Sequence, residues 1–389
     1  MCPVFADLPV DPLAVLRHRR SAKWRTYPAD VLPLTVAEMD FALAPAVADA
    51  LHAAIGRSDT GYAVATPGLG RALAGFAGRR WDWDLDPDGV TAVTDVGVGL
   101  VELLRVLAGD GGDVVISPPV YPPFFHWAPE AGARVVEVPL TNEAGGWRLD
   151  LAGLEQAFAR RPAAYVLCNP HNPVGRVHRP DELGTLVALA AEHGVTIVSD
   201  EIHAPLVLRG AAFTPLLSVP GAPEVAVSLL SASKAWNLAG LKCAAIVSAS
   251  PTMAAVVDRL PPDARGRTGH LGVMATVAAL EDTSSWLDQL LETLHRRRGQ
   301  LGALLAECLP AVRWDPPEGT YLAWLDCRAL GGAGEPGQVF LDNGGVALEP
   351  GLRFGPASSG WVRLNFATGA EILDEAVGRM AAAVGASGT

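Results

Sequence analysis

Residues 164–203 read AYVLCNPHNPVGRVHRPDELGTLVALAAEHGVTIVSDEIH, and this stretch decides the fold class. Ala164 to Cys168 is an unbroken apolar run that ends on a turn built from two prolines and a glycine. Asp181 to His193 spaces its apolar residues as a helix does and stops at Gly194. Val195 to Ser199 is a second apolar run, and it ends on the acids Asp200 and Glu201. A strand that is apolar along its whole length is covered on both faces. Such strands, separated by helices, belong to a sheet sandwiched between helical layers.

The same pattern extends outward. Asp113 to Ser117 and Arg134 to Val138 precede it, and Val225 to Leu229 and Cys243 to Val247 follow it, all as short apolar runs. Leu43 to Gly56 and Gly99 to Ala108 read as helices, the latter with Leu100, Leu103, Leu104 and Leu107 at helical spacing. The fold class is therefore α/β, with a mostly parallel sheet. The first forty-odd residues are Pro-rich and read as irregular. From about Met274 the pattern changes. A long helix carrying Trp286, Leu287, Leu290, Leu291 and Leu294 leads into several short strands, and Gly331 to Gly337 is a surface loop. The expected division is a large domain at 46–275 and a smaller α+β domain made of 1–45 plus 276–389.

A chain of 389 residues, half of them hydrophobic, can bury a sizeable core. The formal net charge of -12 argues against nucleic acid as a partner, because phosphate backbones attract basic surfaces. The basic clusters at Arg17–Arg20 and Arg296–Arg298 read as solvated helix faces. Cys2, Cys168, Cys243, Cys308 and Cys327 are odd in number and scattered, with neither a disulfide framework nor metal-site spacing. Together with the lack of a leader-like N-terminus and of any transmembrane-length apolar run, this predicts a cytoplasmic enzyme with no metal and no membrane partner.

Ligands of an open parallel sheet gather beyond the carboxyl ends of its strands, so the polar residues just after each apolar run are the ones to weigh. Ser231-Ala232-Ser233-Lys234 follows the fifth run. A lysine amine adds to an aldehyde and can be regenerated, which makes Lys234 a candidate Schiff-base nucleophile. Ser231 and Ser233 can donate to an anion such as phosphate, and Lys242 adds a cation eight positions on. The same four residues also match the SxxK of serine hydrolases, and a solvated loop would read alike. Asp200 follows the fourth run. A buried acid needs a partner. It can pair with a pyridinium N–H, keeping that ring an electron sink, or cap the next helix. His203 either bonds that acid or packs. In the turn Cys168 to Gly175, Asn172 can donate to a phenolate oxygen or satisfy its own backbone. At Thr94 to Gly99, small residues let backbone amides approach a phosphate at a helix N-terminus.

The ordered segments GY, PPVYPPFF, NPHNPVG, SDEIH, SASKAWNLAGLK and VRLNFAT resemble the fold-type I pyridoxal 5'-phosphate (PLP) enzymes of the class I/II aminotransferase superfamily. Leu34 to Phe41, reading LTVAEMDF, is similar to the cystathionine β-lyase (C–S lyase) branch. The resemblance runs from Lys23-Trp24 to Thr368. It implies that Lys234 holds the cofactor and shuttles the Cα proton, that Asp200 pairs with the pyridine nitrogen, and that Asn172 pairs with O3′. It also implies that Tyr121 stacks on the ring. Gly97, Val98, Ser231, Ser233 and Lys242 would form the phosphate cup, with His203 beside the cofactor. Tyr62 would reach the phosphate of a neighbouring subunit, and Arg363 would clamp the substrate α-carboxylate, in a homodimer with shared active sites. Three departures stand out: Lys242 where many relatives have arginine, His203 where aspartate aminotransferases often have tyrosine, and Phe366-Ala367-Thr368 after the RLN. The activity implied is cleavage of L-cystathionine or another cysteine S-conjugate. The rivals are transamination, a specialised S-conjugate enzyme with decarboxylating or oxidative chemistry, a non-catalytic PLP-binding role, and the serine hydrolase.

Overall fold

The computed structural model of the chain describes residues 6–64, 66–143, 146–331 and 334–386. Cys2, and Gly332 and Ala333 of the loop at 331–337, lie outside the described residues. Among the described residues, seven strands form the main sheet: β1 Val90–Val93, β2 Asp113–Ile116, β3 Arg134–Glu137, β4 Ala164–Cys168, β5 Thr196–Asp200, β6 Ala226–Leu230 and β7 Ala244–Val247. Their spatial order is β1-β7-β6-β5-β4-β2-β3. Pairings from β3 through β6 are parallel, while β7 runs antiparallel to both β6 and β1. The six expected strands are present within a residue or so of their expected limits. β1 was not expected, and neither was the reversal of β7.

Every residue of β4, β6 and β7 is buried, whereas the edge strand β3 is half exposed. Alternate residues divide between two apolar clusters, as a period of two requires. Tyr165, Leu167, Ile197, Ala226 and Ala245 face one cluster. Ala164, Val166, Val198, Val227 and Ile246 face the other.

Helix α1, Pro45–Gly56, matches its expected span closely. Helix α2, Thr66–Trp81, was not expected, because four glycines dilute its apolar stripe. Gly70 is required there: a Cβ would lie 2.4 Å from the Pro87 carbonyl oxygen. Helix α3 starts at Val96 rather than Gly99 and ends at Ala108; Asp95 caps it by accepting the Val98 N–H at 2.8 Å.

The second sheet contains β8 Arg313–Trp314, β9 Leu322–Asp326, β10 Glu349–Pro350 and β11 Trp361–Asn365, all antiparallel, in the order β8-β9-β11-β10. The long helix α4, Trp286–Cys308, buries Trp286, Leu287, Leu290, Leu294, Leu301 and Leu305 along one stripe.

Among the described residues, the N-terminal segment carries two short helices, Leu13–Leu16 and Ala22–Arg25, before Leu32–Pro33 pairs in parallel with Val346–Ala347. Residues 34–40 then form a strap along the edge of the second sheet. Asn365 N–H donates to Leu34 O, and Asp40 N–H to Ala367 O. Lys23 and Asp40, each about 1% exposed, form an ion pair at 2.7 Å, and Trp24 Nε1 donates to the same carboxylate at 3.1 Å. The expected solvated basic faces are corrected here. Arg19 donates to the Met39 and Asp40 carbonyls, and Arg296 and Arg297 both pair with Asp7.

No helix of the described residues is long and apolar enough to cross a membrane. Among them, no cluster of three or more His, Cys, Asp or Glu is placed to hold a metal.

Candidate active site

β5, β6 and the turn after β4 end at the same edge of the main sheet, and the antiparallel β7 begins there. Residues after β6 therefore meet residues before β7: Ser231 Oγ donates to Cys243 O at 2.7 Å. Together with α3's N-terminus, the strap and β11, these segments enclose a cavity of about 360 Å³. Gly97, Tyr121, Asn172, Asp200 and His203 line it. So do Ser231, Ser233, Lys234, Lys242 and Arg363. Ten of the twelve expected site residues thus converge on one space from seven separate stretches of chain.

Lys234 stands in the middle. Its Nζ donates to Ala37 O of the strap at 3.1 Å. Burial, then the Arg363 charge, pushes its amine down to about 8, against the opposing pull of Glu38 and Asp200. Asp200, at the end of β5, is 3% exposed and accepts the Ile202 N–H at 3.1 Å. Burial pushes its carboxyl up to about 6, opposed by that hydrogen bond and by Lys234. His203 does not bond this acid. Its ring packs edge-on to Tyr321 at 6.2 Å, and its Nδ1 has no partner. Burial, then Lys234 and Arg363, holds it well below the usual histidine range, so the ring is neutral.

Arg363 reaches the cavity from β11. Nη1 donates to Asn172 Oδ1 at 3.0 Å and Nη2 to Thr35 O at 2.8 Å, while Nε is buried without a partner. No carboxylate among the described residues lies within ion-pair distance of it. A guanidinium that is buried, unpaired and partly unsatisfied is a ready receptor for a carboxylate. Because Asn172 Oδ1 accepts from Arg363, its amide nitrogen is the group that faces the cavity as a donor. The turn holding Asn172 is pinned by Gly175, whose φ is +69° and whose Cβ would lie 2.2 Å from Pro317 Cβ. Tyr121, its hydroxyl pushed up by burial, presents its ring beside Trp127 and Phe124.

Two expected residues are placed otherwise. Val98 is off the cavity wall, and its N–H is taken by Asp95 Oδ1 because Asp95, not a ligand, caps α3. Asp95 Oδ2 also pairs with Lys242 Nζ at 2.9 Å. Tyr62 is fully exposed and away from the cavity of its own chain. The serine hydrolase reading loses its geometry as well, since the Ser231 hydroxyl donates to Cys243 O and the Lys234 amine to Ala37 O.

Sequence reasoning missed the strap as a set of acceptors. Ala37 O also takes the Tyr321 hydroxyl at 2.8 Å, and Asn365 Nδ2 donates to Val36 O and Glu38 O at 2.6 and 2.7 Å. The one available signal was the LTVAEMDF segment, which stood out only as a resemblance. Glu349 and Arg353, on the same cavity wall, were missed too.

Residues 29–380 match the sequence profile of the family described as aminotransferase class I and II. A Mycobacterium leprae protein provisionally named cystathionine beta-lyase is 47% identical, over 97% of this chain and 98% of its own. The cystathionine beta-lyase PatB of Bacillus subtilis is 33% identical, over 91% of this chain and 93% of its own. The crystal structure of a provisionally assigned PLP-dependent beta-cystathionase from Corynebacterium diphtheriae superposes with a TM-score of 0.92 at 34% identity, covering 97% of this chain and 99% of that one.

Proposed function

This chain belongs to the class I and II aminotransferase family, and from that membership we propose that it is a PLP-dependent carbon–sulfur β-lyase. Its substrate would be L-cystathionine or another cysteine S-conjugate, and its products a thiol, pyruvate and ammonia. The observation that carries this reading is one half-buried lysine, Lys234, lining a single cavity together with a buried acid, Asp200, and a buried arginine, Arg363, that has no ion-pair partner among the described residues. The choice of lyase over aminotransferase is supported by the likeness to proteins named cystathionine beta-lyase.

The residues fit the cofactor. Lys234 would hold its aldehyde carbon, Asp200 its ring nitrogen and Asn172 Nδ2 its ring oxygen, with Tyr121 against the ring face. Ser231, Ser233, Lys242 and the backbone at Gly97 would hold the phosphate. Bound PLP supplies an electron-withdrawing ring that takes up charge developing at the substrate's α-carbon.

The chain's own residues do the rest. Arg363 holds the α-carboxylate and so fixes which bond at Cα faces the lysine. Lys234, whose amine is pushed down to about 8 by burial and then by the Arg363 charge, takes the Cα proton as a general base. Asp200, kept from water beside that lysine, holds the negative charge that faces the ring nitrogen. The C–S bond then breaks with its electron pair leaving on sulfur as the thiolate. Water consumes the remaining three carbons, which depart as pyruvate and ammonia.

The proposal also includes a homodimer in which the exposed Tyr62 reaches the partner's phosphate site, the division into 46–275 and 1–45 plus 276–389, and residence in the cytoplasm.

The test is to load the purified protein with PLP and add L-cystathionine with no oxo-acid acceptor present. A shift in cofactor absorbance with pyruvate released is expected. Turnover only with a 2-oxo acid and an amino donor would make the protein an aminotransferase, and no cofactor absorbance after loading would refute the reading altogether.

A further inference from the structure

Two charged residues on the cavity wall have no part in the steps above. Glu349 lies in β10 as the register partner of Arg363 in β11. Partners across an antiparallel pair project side chains from the same face, so Glu349 and Arg363 share one wall of the cavity without forming an ion pair. Glu349 is also the leading charge that counters the effect of burial on Arg363. Four residues on, the 3-10 turn Gly351–Phe354 brings Arg353 back onto Glu349 as an ion pair. The Glu349 side chain is only 11% exposed, whereas that of Arg353 is 63% exposed and lies at the mouth.

Charges therefore alternate outward along this wall: Arg363 positive, Glu349 negative, Arg353 positive. An ion pair with one partner this exposed contributes little to stability, so it can exchange partners at small cost. Arg353 uses Nη1 toward Glu349, and a guanidinium has five N–H donors in all.

We infer that Glu349 and Arg353 form a subsite for a zwitterionic distal group on the sulfur side of the substrate, an inference that rests on the C–S lyase reading. With the α-carboxylate on Arg363, a substrate whose leaving thiol is itself an amino acid places an ammonium at Glu349 and a second carboxylate at Arg353. Its sequence of charges is the complement of the wall's. An S-alkyl cysteine meets only the first of the three. The substrate class selected is thus a thioether joining two amino acids, of which L-cystathionine is the simplest test case, over cysteines carrying plain alkyl groups.

The experiment measures kcat/KM for thiol release from L-cystathionine and from S-ethyl-L-cysteine in the PLP-loaded wild type, Arg353→Gln and Arg353→Lys. The ratio of the two values is the readout, since it cancels differences in cofactor loading and folding. The wild type is expected to favour L-cystathionine. Arg353→Gln lowers the ratio about tenfold or more, mostly through KM for L-cystathionine, and Arg353→Lys restores part of it. A ratio in Arg353→Gln within twofold of the wild type's, with both sulfides still cleaved, overturns the subsite and leaves the lyase reading standing. Release of thiol from neither sulfide by the wild type overturns the lyase reading, and the subsite with it.

Discussion

Replacing Arg363 separates the charge of the proposed carboxylate clamp from its shape. The guanidinium is buried, is anchored on Asn172 Oδ1 and Thr35 O, and keeps Nε free of any partner. A planar fork fixed at two corners presents its other N–H groups in one orientation, suited to both oxygens of a carboxylate. Arg363→Lys keeps a cation but can offer only a point charge on a flexible stem. One charge-assisted hydrogen bond lost is worth about 1.5–3 kcal/mol, which is roughly ten- to a hundredfold in kcat/KM. Arg363→Ala removes the whole partner of a buried ion pair at about 3–5 kcal/mol, or roughly a hundred- to a few thousandfold. The assay is thiol release from L-cystathionine, with cofactor content read from visible absorbance so that loading and clamping are told apart. Both variants are expected to bind PLP. Arg363→Ala also leaves Asn172 Oδ1 and Thr35 O without their donor, so its thermal unfolding midpoint should fall. A fully loaded Arg363→Ala protein with kcat/KM within threefold of the wild type would refute the clamp, and a normal midpoint would refute the anchoring.

Two further outcomes follow from buried ionisable groups. The Lys234 amine adds to an aldehyde only when neutral, and burial brings it down to about 8; capture of PLP by the cofactor-free protein should therefore speed up as pH rises and level off above about 8, and a rate still climbing near pH 10 would contradict the burial argument. Glu201 accepts from Leu216 N–H and Ser199 Oγ, and burial pushes its carboxyl up to about 8, so the native state binds its proton more tightly than the unfolded chain does and stability is lost as pH rises from about 4.5 through 8. Glu201→Gln should remove that loss, gaining about 2–4 kcal/mol on the wild type between pH 5 and 9 in denaturant titrations; parallel pH profiles for the two proteins would count against it.

The central strands were legible because β4, β5 and β6 are buried on both faces, and a strand of that kind announces itself in composition alone. β1 was not, since Val90-Thr91-Ala92-Val93 is short and its only signal is its place beside β7. Nor was α2, where four glycines thin the apolar stripe and only Gly70 among them sits at a close backbone approach. Asp200, Asn172 and Lys234 could be picked out because they follow strands directly, at the edge where ligands gather. Thr35 and Ala37 could not, because they act through carbonyl oxygens that every residue type shares. Glu349 depended on the register of a sheet whose strands β8 and β10 are two residues long. Val98 was misplaced for a local reason: the Asp95 next to the expected glycine motif is itself a helix cap.

The strap at residues 34–40 also says something about when this site comes into being. Thr35 leaves the ribosome 328 residues before Arg363, the side chain that grips its carbonyl, and Val36 waits one residue longer, 329, for Asn365. Contacts so distant along the chain form late, after shorter loops have closed. A nascent chain that had completed β1 through β7 would own Lys234 and Asp200, yet Thr35 O and Val36 O would lack their side-chain donors until β11 had been translated. Loading of the cofactor into a finished pocket is on this account a post-translational event, and the oldest and youngest parts of the polypeptide complete the pocket together.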